Sequence, residues 1–399
     1  MKELLPARTQ EYKARAHEVA EKHVRPVAAE LDRTGEYPWS VIAALREYDL
    51  MGIWIPQEYG GHGAGVLDMC VVVEELSRAC GGIGVAYAVN ALGSFPIVLA
   101  GTEEQKRRFL PAVAKGEKLI AFGLSEKASG SDAGSLRARA VHNGDGWIIN
   151  GEKKWTTNAN AASIYIVYAS TNPDRGTRGA SAFIVEKGIP GFEIGKREQL
   201  MGIRCVPVHE LHFRDCHVPP SALLGGKEGA GFANAMMTLD RARPGVAAQA
   251  VGLAQGALEW AIRYTSERQQ FGQSVMSFQA IQFMLADMAI QVEAARQLVY
   301  TAARAIDAGL SGVSKLAAMC KVFATDTAMR VTTDAVQLFG GYGYCQDYPI
   351  EKYMRDAKIT QIYEGTNQIQ RVVIGRALTR EADQIAGHLS VKVEHFPKE

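Results

Sequence analysis

The spacing of apolar residues divides the chain into three regions, and the first is helical. Apolar residues recur every three or four positions within residues 11–31, 39–48 and 67–80, which predicts three amphipathic helices. Pro26 lies inside the first run and predicts a kink or a break, because proline cannot donate a helical hydrogen bond. We therefore expect an N-terminal helical domain over residues 1–118.

The second region, residues 119–230, contains short runs of β-branched and aromatic residues separated by turn residues. These runs are residues 119–124, 136–142, 147–150, 163–169, 180–185 and 210–218. The tetrapeptide 143–146, Asn-Gly-Asp-Gly, stands between two of them and predicts a hairpin. We expect a middle β domain that is mostly antiparallel.

The third region, residues 231–399, returns to helical spacing. Residues 281–302 carry an apolar stripe, and residues 314–339 predict a second long helix that ends at Gly340 and Gly341. The apolar positions of that second helix are Leu316, Met319, Val322, Phe323 and Met329. Long helices with short connections favour an antiparallel bundle, so the order of elements predicts an α+β fold.

One uncharged stretch, residues 81–101, is long enough to cross a bilayer. It contains five glycines as well as Asn90, Ser94 and Pro96, a composition that fits a buried helix better than a membrane span. The N-terminus is charged and has no apolar core typical of a signal peptide. We expect no membrane span and a cytoplasmic location.

Charge and motif content exclude several classes of protein. Lysine plus arginine number 44 against 43 acidic residues, so the net charge of +1 argues against a nucleic-acid partner. None of the six cysteines forms a C-x-x-C pair, so we expect neither a disulfide scaffold nor a metal site. The glycine-rich segments match neither the G-x-G-x-x-G nor the G-x-x-x-x-G-K-[ST] pattern. Any bound nucleotide must be held by another architecture.

Two segments carry candidate chemistry. Residues 122–132, FGLSEKASGSD, place small residues after a predicted strand, where backbone N–H groups could face an anion or a planar ring. A polar β-turn explains that pattern equally well. Residues 355–371, RDAKITQIYEGTNQIQR, place Glu364 beside Gly365. On pattern alone, a single glutamate before glycine is usually a solvated turn residue.

Together, these segments resemble the two signatures of the acyl-CoA dehydrogenase family of flavoproteins. The second signature extends over residues 337–371, and the blocks KKWTTNA, LDRARP and ERQQFGQSVMSFQAIQ match in order between the two. The resemblance covers about residues 3 to 380. It implies a helical N-terminal domain, a middle antiparallel β-barrel and a C-terminal four-helix bundle. It also implies FAD bound between domains and subunits of a homotetramer, a dimer of dimers.

The resemblance assigns catalysis to Glu364. In the family this glutamate removes the α-proton of an acyl-CoA thioester, while a hydride leaves the β-carbon for flavin N5 and trans-2-enoyl-CoA forms. The weakly acidic proton needs a positioned base, and burial should raise the pKa of Glu364 above its free value of about 4.3. The backbone N–H of Glu364 and a flavin ribityl hydroxyl would hold the thioester oxygen. Some members carry the base where this chain has Ala242, which argues against the isovaleryl and long-chain-type branches.

The resemblance also implies ligand contacts. Trp155 and Thr157 would lie against the isoalloxazine, and Thr366 and Gln368 would touch the adenosine half. Residues implied along the flavin and pyrophosphate are Phe122, Leu124, Ser125, Gly130 and Ser131. Residues implied to grip FAD across a subunit interface are Arg268, Gln270, Phe271, Phe278, Gln279, Gln337, Gly340 and Gly341. Gln270 stands where threonine is common. The CoA contacts would be Ser131, Asp240, Arg243 and Gly365.

The acyl tail in this family runs along the helix that matches residues 87–99, which here contains no charged side chain. A distal carboxylate would need a buried cation, so we expect a monocarboxylic, largely apolar acyl group of short to medium length. Tyr87, Asn90 and Ser94 would line this pocket and leave room for a polar or ring-bearing chain. The expected electron acceptor is electron-transferring flavoprotein. An acyl-CoA oxidase and a non-catalytic acyl-CoA-binding module are the alternatives, and the chain length favours the dehydrogenase.

Overall fold

A computed structural model describes residues 4–388 of the chain, with side-chain burial to residue 382. Residues 1–3 and 389–399 of the predicted outer domains lie outside the described residues. Six α-helices occupy the described part of the N-terminal region. They are α1 (Ala7–Val19), α2 (Ala28–Thr34), α3 (Trp39–Glu47), α4 (Val66–Ala79), α5 (Gly81–Ala100) and α6 (Glu103–Ala114).

The predicted interruption at Pro26 is confirmed. The helix that begins with α1 loosens into a π-helical turn at Ala20–Val24 and tightens into a 3₁₀ turn at Arg25–Val27 before α2 starts. Pro26 has no N–H to give to the preceding turn, so the regular α-helical ladder cannot pass through it.

Helix α5 is the one helix of the described chain that is long and apolar enough to cross a bilayer, and most of it is buried. It packs against the first strand of the sheet on one side and against the long helix α7 (Gly231–Glu267) on another. The amide oxygen of Asn90 accepts a hydrogen bond of 3.2 Å from the Ile120 N–H, which fastens α5 to that strand. The packing identifies α5 as a core helix of this fold.

The middle region forms a seven-stranded mixed sheet. Its strands are β1 (Ile120–Gly123), β2 (Arg139–His142), β3 (Trp147–Thr157), β4 (Ile164–Ser170), β5 (Ala180–Glu186), β6 (Phe192–Arg197) and β7 (Val208–Val218). The order is β1-β4-β2-β3-β7-β6, with β5 also on β4. Most pairs are antiparallel, as predicted, but β1 and β2 both run parallel to β4. In the described chain these pairings do not close into the ring that a barrel requires.

The hairpin and six strands follow the sequence pattern, and one strand departs from it. Asn143 donates its N–H to the Gly146 carbonyl over 3.1 Å, which closes the predicted turn between β2 and β3. Strand β6, FEIGKR, was not predicted, because it contains a glycine and three charged residues in six positions. It forms because its backbone pairs with the edge of β7 in an antiparallel register, with Phe192 opposite Phe213.

Up to residue 388, the C-terminal region contains α7, a short hairpin of β8 (Gln269–Gln270) and β9 (Gln273–Ser274), and four further α-helices. These are α8 (Gln279–Asp307), α9 (Val313–Phe339), α10 (Ile350–Thr360) and α11 (Asn367–His388). Helix α9 buries a different face from the predicted one. Met319 and Phe323 are about two-fifths exposed, whereas small residues such as Ala317, Ala324 and Ala328 are buried. Small side chains allow α9 to approach α7 closely.

Two apolar cores hold these elements together. The larger joins the N-terminal helices, the C-terminal helices and one face of the sheet, with Ile164 and Ile166 among its sheet residues. The smaller lies on the other face of the sheet, where Tyr165 and Val167 point. Residues early and late in the chain therefore share a single core.

Candidate active site

Glu364 lies in a strained turn between α10 and α11. Its φ is +53° and that of Gly365 is +92°, so two consecutive residues are left-handed. The turn is closed by Asn367, whose N–H donates to the Gln361 carbonyl over 3.0 Å. A non-glycine residue in this conformation costs of order 1–3 kcal/mol and persists only where its surroundings hold it, a pattern concentrated at functional sites.

Side chains from three helices hold the carbonyls of this turn. Gln370 on α11 donates its amide to the Glu364 and Gly365 carbonyls, over 3.3 and 3.1 Å. Lys321 on α9 donates to the Gly365 carbonyl over 3.0 Å, and Arg243 on α7 reaches the Glu364 carbonyl over 3.4 Å. The backbone of the turn is thus held partly by two residues distant in sequence, Arg243 and Lys321.

The carboxylate of Glu364 is buried and incompletely satisfied. Its Oε2 atom has no hydrogen-bond partner among the described residues. Burial raises the pKa of Glu364 to about 7, and the charges of Arg243 and Lys321 counteract part of that rise. A carboxylate with a free oxygen and a pKa near neutrality is suited to accept a proton from a bound molecule.

Two predicted CoA contacts, Asp240 and Arg243, meet beside Glu364. They lie one turn apart on α7, and Arg243 Nη1 donates to Asp240 Oδ1 over 2.6 Å. The second oxygen of Asp240 accepts a hydrogen bond from the Ser314 hydroxyl. Burial lowers the pKa of Arg243. Of the predicted substrate residues, the structure brings Asp240, Arg243 and Gly365 together at Glu364.

Lys321 belongs to the same cluster, and the sequence reasoning missed it. Burial lowers its pKa to about 7, while the charge of Glu364 opposes that shift. The available signal was a lysine between two apolar residues, Cys320 and Val322, in a helix whose small residues face inward. A buried lysine is rare enough to indicate a specific partner.

The loop after β1 is anchored by a buried ion pair. Lys153 Nζ donates to Glu126 Oε1 over 2.7 Å and to the Leu124 carbonyl over 3.2 Å. The same carboxylate accepts the N–H groups of Arg137 and Ala138, so it closes the loop at both ends. The predicted cofactor residues Gly130 and Ser131 are exposed at its tip.

Open space and aromatic rings lie near this loop, along strands β1 and β3. A Cβ added at Gly130 would meet no atom within 4 Å. Trp155 has a φ of +57° at an irregularity in the β3–β7 pairing, which leaves its indole half exposed. Phe122 packs on Tyr168 with ring centroids 5.2 Å apart, and Ser125 and Thr157 are partly buried. These features suit a planar ring and a phosphate-bearing chain, so the residues present fit a flavin dinucleotide.

A second group of predicted cofactor residues forms a separate exposed surface around the β8–β9 hairpin. The Arg268 guanidinium lies 5.7 Å from the centre of the Tyr342 ring, which brings the hairpin beside the segment that starts at Gly340. Phe271 at the hairpin tip is 93% exposed. Within the described chain, no hydrogen bond or ion pair connects this group to the Glu364 turn. Its members are Arg268, Gln270, Phe271, Phe278, Gln279, Gln337, Gly340 and Gly341.

The remaining predicted residues fall into two places. Thr366 immediately precedes α11, and its hydroxyl accepts the Ile369 N–H over 3.2 Å, while Gln368 is exposed on the first turn. Tyr87, Asn90 and Ser94 on α5 are completely buried.

The polar atoms of these three α5 residues are engaged within the protein. The Tyr87 hydroxyl donates to the Leu50 carbonyl over 2.9 Å. The Ser94 hydroxyl donates to the Asn90 carbonyl and accepts a hydrogen bond from the Trp54 indole, both over 2.7 Å. The structure therefore does not present them as free polar groups for an acyl chain.

Three family models account for most of this chain. The N-terminal, middle and C-terminal domains of acyl-CoA dehydrogenase match residues 6–117, 121–216 and 229–379. The chain belongs to the acyl-CoA dehydrogenase family. The predicted family, the α+β fold class and the assignment as an enzyme are thereby confirmed.

Named relatives agree along nearly the whole length. A short-chain specific acyl-CoA dehydrogenase of Clostridium acetobutylicum is 48% identical over 364 residues, 91% of this chain and 96% of that protein. The solved butyryl-CoA dehydrogenase of Megasphaera elsdenii is 46% identical with a TM-score of 0.92, covering 94% and 99% of the two chains. A solved structure described as the electron transferring flavoprotein of Acidaminococcus fermentans contains a chain 50% identical, with the same TM-score and coverage.

Proposed function

We propose that this protein is an FAD-dependent acyl-CoA dehydrogenase in which Glu364 removes the α-proton of an acyl-CoA thioester, giving trans-2-enoyl-CoA. The observation that carries this proposal is the buried Glu364 carboxylate, whose Oε2 atom has no partner within residues 4–388 and whose pKa is raised to about 7. A base with that pKa is ionised in a large fraction of molecules at neutral pH and still binds a proton well.

The backbone of the same residue supports stabilisation of the developing charge. Among the described residues the Glu364 N–H has no hydrogen-bond acceptor, so it is free to donate to a thioester oxygen. A donor fixed before the reaction stabilises an enolate-like state without reorganising during proton removal. Arg243 and Asp240, beside the turn, would orient the CoA portion of the substrate.

FAD is the cofactor, and it supplies the acceptor for the hydride that leaves the β-carbon. The loop of residues 124–138 and the exposed Trp155 would hold its ring and pyrophosphate on one protomer. The surface around Arg268 would hold the dinucleotide of a neighbouring protomer, since it lies apart from the Glu364 turn and an arginine fork suits phosphate oxygens.

A variant of Glu364 tests the catalytic assignment. Glu364→Gln should lower kcat by about 10²–10⁴-fold, because an amide cannot accept the proton at neutral pH. Its flavin absorbance should match the wild type, since no predicted FAD contact changes. Glu104→Gln, an exposed carboxamide substitution on α6, is the matched control and should retain full activity. Wild-type turnover by Glu364→Gln would remove this residue from the reaction.

The substrate is a short-chain, monocarboxylic acyl-CoA. Helix α5 carries no charged residue, and two relatives are described as short-chain specific and as butyryl-CoA dehydrogenase. Burying a second carboxylate without a cation is costly, so butyryl-CoA should be oxidised faster than glutaryl-CoA. The rate of oxidation of octanoyl-CoA then distinguishes a short-chain enzyme from a medium-chain enzyme. Faster turnover of glutaryl-CoA would contradict this choice.

Electron-transferring flavoprotein is the proposed acceptor, and the description of the Acidaminococcus relative supports it. Butyryl-CoA oxidation without any added acceptor separates the dehydrogenase from an oxidase. Slow turnover that electron-transferring flavoprotein accelerates supports the dehydrogenase. Rapid release of peroxide under oxygen would support the oxidase instead.

The assembly is proposed to be a homotetramer in the cytoplasm. Exposed large apolar residues on three C-terminal helices support self-association, since burial against another protomer would remove them from water. They are Phe283, Ile290, Met319, Phe323, Val372 and Leu378. Sedimentation of the holoenzyme at four times the monomer mass would support the tetramer, and a stable FAD-bound monomer would contradict it.

A further inference from the structure

Lys321 is a fully buried lysine that has no carboxylate partner among the described residues, and its ammonium form is opposed by burial and favoured by the charge of Glu364. Its Nζ donates to the Gly365 carbonyl over 3.0 Å and to Asn367 Oδ1 over 2.9 Å. Among the described residues, no carboxylate oxygen lies within 4.0 Å of it, although other buried lysines such as Lys153 and Lys352 have one. An unpaired buried ammonium is costly, and an apolar side chain of the same length would pack in its place. Packing alone therefore does not explain a lysine at this position.

The contacts of Asn367 separate Lys321 from the nearest acid on its own helix. The Asn367 amide nitrogen donates to Asp326 Oδ1 over 2.7 Å, while its oxygen accepts from Lys321. Asp326 also accepts a hydrogen bond from Gln361 and forms an ion pair with Arg371, each at about 2.6–2.7 Å. The acid is therefore occupied by other donors, and the charge of Lys321 is left to act on the turn.

Glu364 has two cationic neighbours, and they are not equivalent. Arg243 on α7 forms an ion pair with Asp240, so part of its field is compensated at 2.6 Å. Lys321 on α9 has no such partner in the part of the chain that the structure describes. The other ionisable groups near the turn are Asp326 and the Tyr363 phenol, whose pKa is raised by burial and which donates to Gln249.

We propose that Lys321 is a positioning residue for proton removal: its ammonium fixes the Gly365 carbonyl, and with it the Glu364 carboxylate and N–H, and its charge favours the ionised base. This inference rests on the proposed role of Glu364. Lys321 itself transfers no proton to or from the substrate in this scheme.

The test compares two neutral variants with a charged one. Lys321→Met and Lys321→Gln should move the rising limb of the kcat/KM–pH profile for butyryl-CoA to higher pH by about one unit, because a nearby cation lowers a carboxyl pKa by about that much or more. Lys321→Arg keeps the charge, so its midpoint should stay at or below the wild-type value. Arg330→Met removes a cation from the exposed face of the same helix and should leave the profile unchanged.

A second readout needs no turnover. The carboxyl stretch of Glu364, identified in infrared difference spectra by its loss in Glu364→Gln, can be titrated directly in each variant. In the neutral Lys321 variants, the Glu364 carboxylate should become protonated at a higher pH than in the wild type. If Lys321 served only in packing, its replacement would lower the thermal stability and leave the titration of Glu364 unchanged.

The outcomes distinguish the two proposals. If wild-type enzyme fails to oxidise any acyl-CoA, or if Glu364→Gln is fully active, the proposed function fails. If the wild type is active and the neutral variants keep its profile and its infrared titration, the inference about Lys321 is overturned. If neither neutral variant retains FAD, Lys321→Arg decides: a midpoint above the wild-type value contradicts the proposal.

Discussion

At Glu364 the backbone is left-handed and the carboxylate is buried, and both features cost free energy in the folded state. The raised pKa means that the folded chain binds this proton more tightly than the unfolded chain does. The stability linked to this group is therefore complete below the ordinary glutamate pKa and is lost as the pH rises through about 7. The enzyme gives up some stability at neutral pH to keep a base that works there.

Gly365 provides a test of the turn itself. An added Cβ would lie 2.4 Å from Gln370 Nε2, and the φ of +92° disfavours any side chain. We expect Gly365→Ala to lower the free energy of unfolding by about 1–3 kcal/mol and to reduce kcat/KM, because the carbonyl contacts of the turn would shift.

Chemical denaturation and steady-state kinetics measure both effects. Gly375→Ala on α11 is the matched control, since no atom lies within 4 Å of its added Cβ and alanine is the better helix former. Equal stability and activity in the two alanine variants would show that the turn tolerates a side chain.

Among single residues, the sequence could identify those that sit in a recognisable motif. Glu364, Gly365, Asp240 and Arg243 were predicted by resemblance, and the structure brings them to one place. Lys321 could not be found this way, because its role depends on α9 and the Glu364 turn meeting across 44 residues. Tyr87, Asn90 and Ser94 show the opposite case, since their hydrogen bonds to the core become visible only when α5 is packed.

At the scale of elements, periodicity located helices well and their buried faces less well. The apolar stripe of α9 pointed to Met319 and Phe323, yet most of the buried residues of α9 are alanines and threonines, together with a cysteine and Lys321. Hydrophobicity ranks large residues first, whereas close helix packing selects small ones. Strand β6 was missed for a related reason, because an edge strand takes its conformation from its neighbour.

The buried pair of Glu126 and Lys153 makes a prediction for the loop after β1. Both side chains are at most 4% exposed, so Glu126→Gln would leave a buried ammonium without its counterion. We expect a loss of about 3–5 kcal/mol in the free energy of unfolding. Release of FAD should accompany it, because the loop carrying Gly130 and Ser131 loses its anchor.

Urea denaturation and flavin absorbance after dialysis check this expectation. Glu152→Gln, an exposed carboxylate on the same strand as Lys153, should change neither quantity by a measurable amount. Full FAD retention and full stability in Glu126→Gln would show that the loop does not depend on the pair.

At the scale of the whole molecule, the two groups of predicted FAD residues lie on different surfaces of one chain. One lies along β1 and β3 and the other around the β8–β9 hairpin, where Phe271 is almost wholly exposed. An almost wholly exposed phenylalanine leaves apolar area in water, and together with a nearby arginine it would suit a partner that brings a ring and a phosphate.

Arg268→Ala tests this arrangement. We expect the affinity of the variant for FAD to be at least tenfold lower than that of the wild type, because a charge-assisted contact is worth about 1.5–3 kcal/mol. The Glu364 turn should be intact, so excess FAD should restore activity. Arg263→Ala, five residues earlier and exposed in α7, is the control. Flavin content after gel filtration measures the outcome, and unchanged retention in Arg268→Ala would place the dinucleotide elsewhere.

The larger core, which helices α1 and α10 share, has a consequence for biosynthesis. Helix α4 is buried along its whole length, and its Glu74 forms an ion pair with Arg296, 222 residues further along the chain. The N-terminal N–H groups of α4 at Val66 and Leu67 are bound by Asp307, still later in the chain. A nascent chain leaving the ribosome therefore exposes α4, a helix with many apolar residues and a few charged ones. This helix cannot reach its native partners until α8 has been translated. During that interval we expect chaperones to bind the first third of the protein. Truncation of the chain before α8 should yield aggregates rather than a folded fragment.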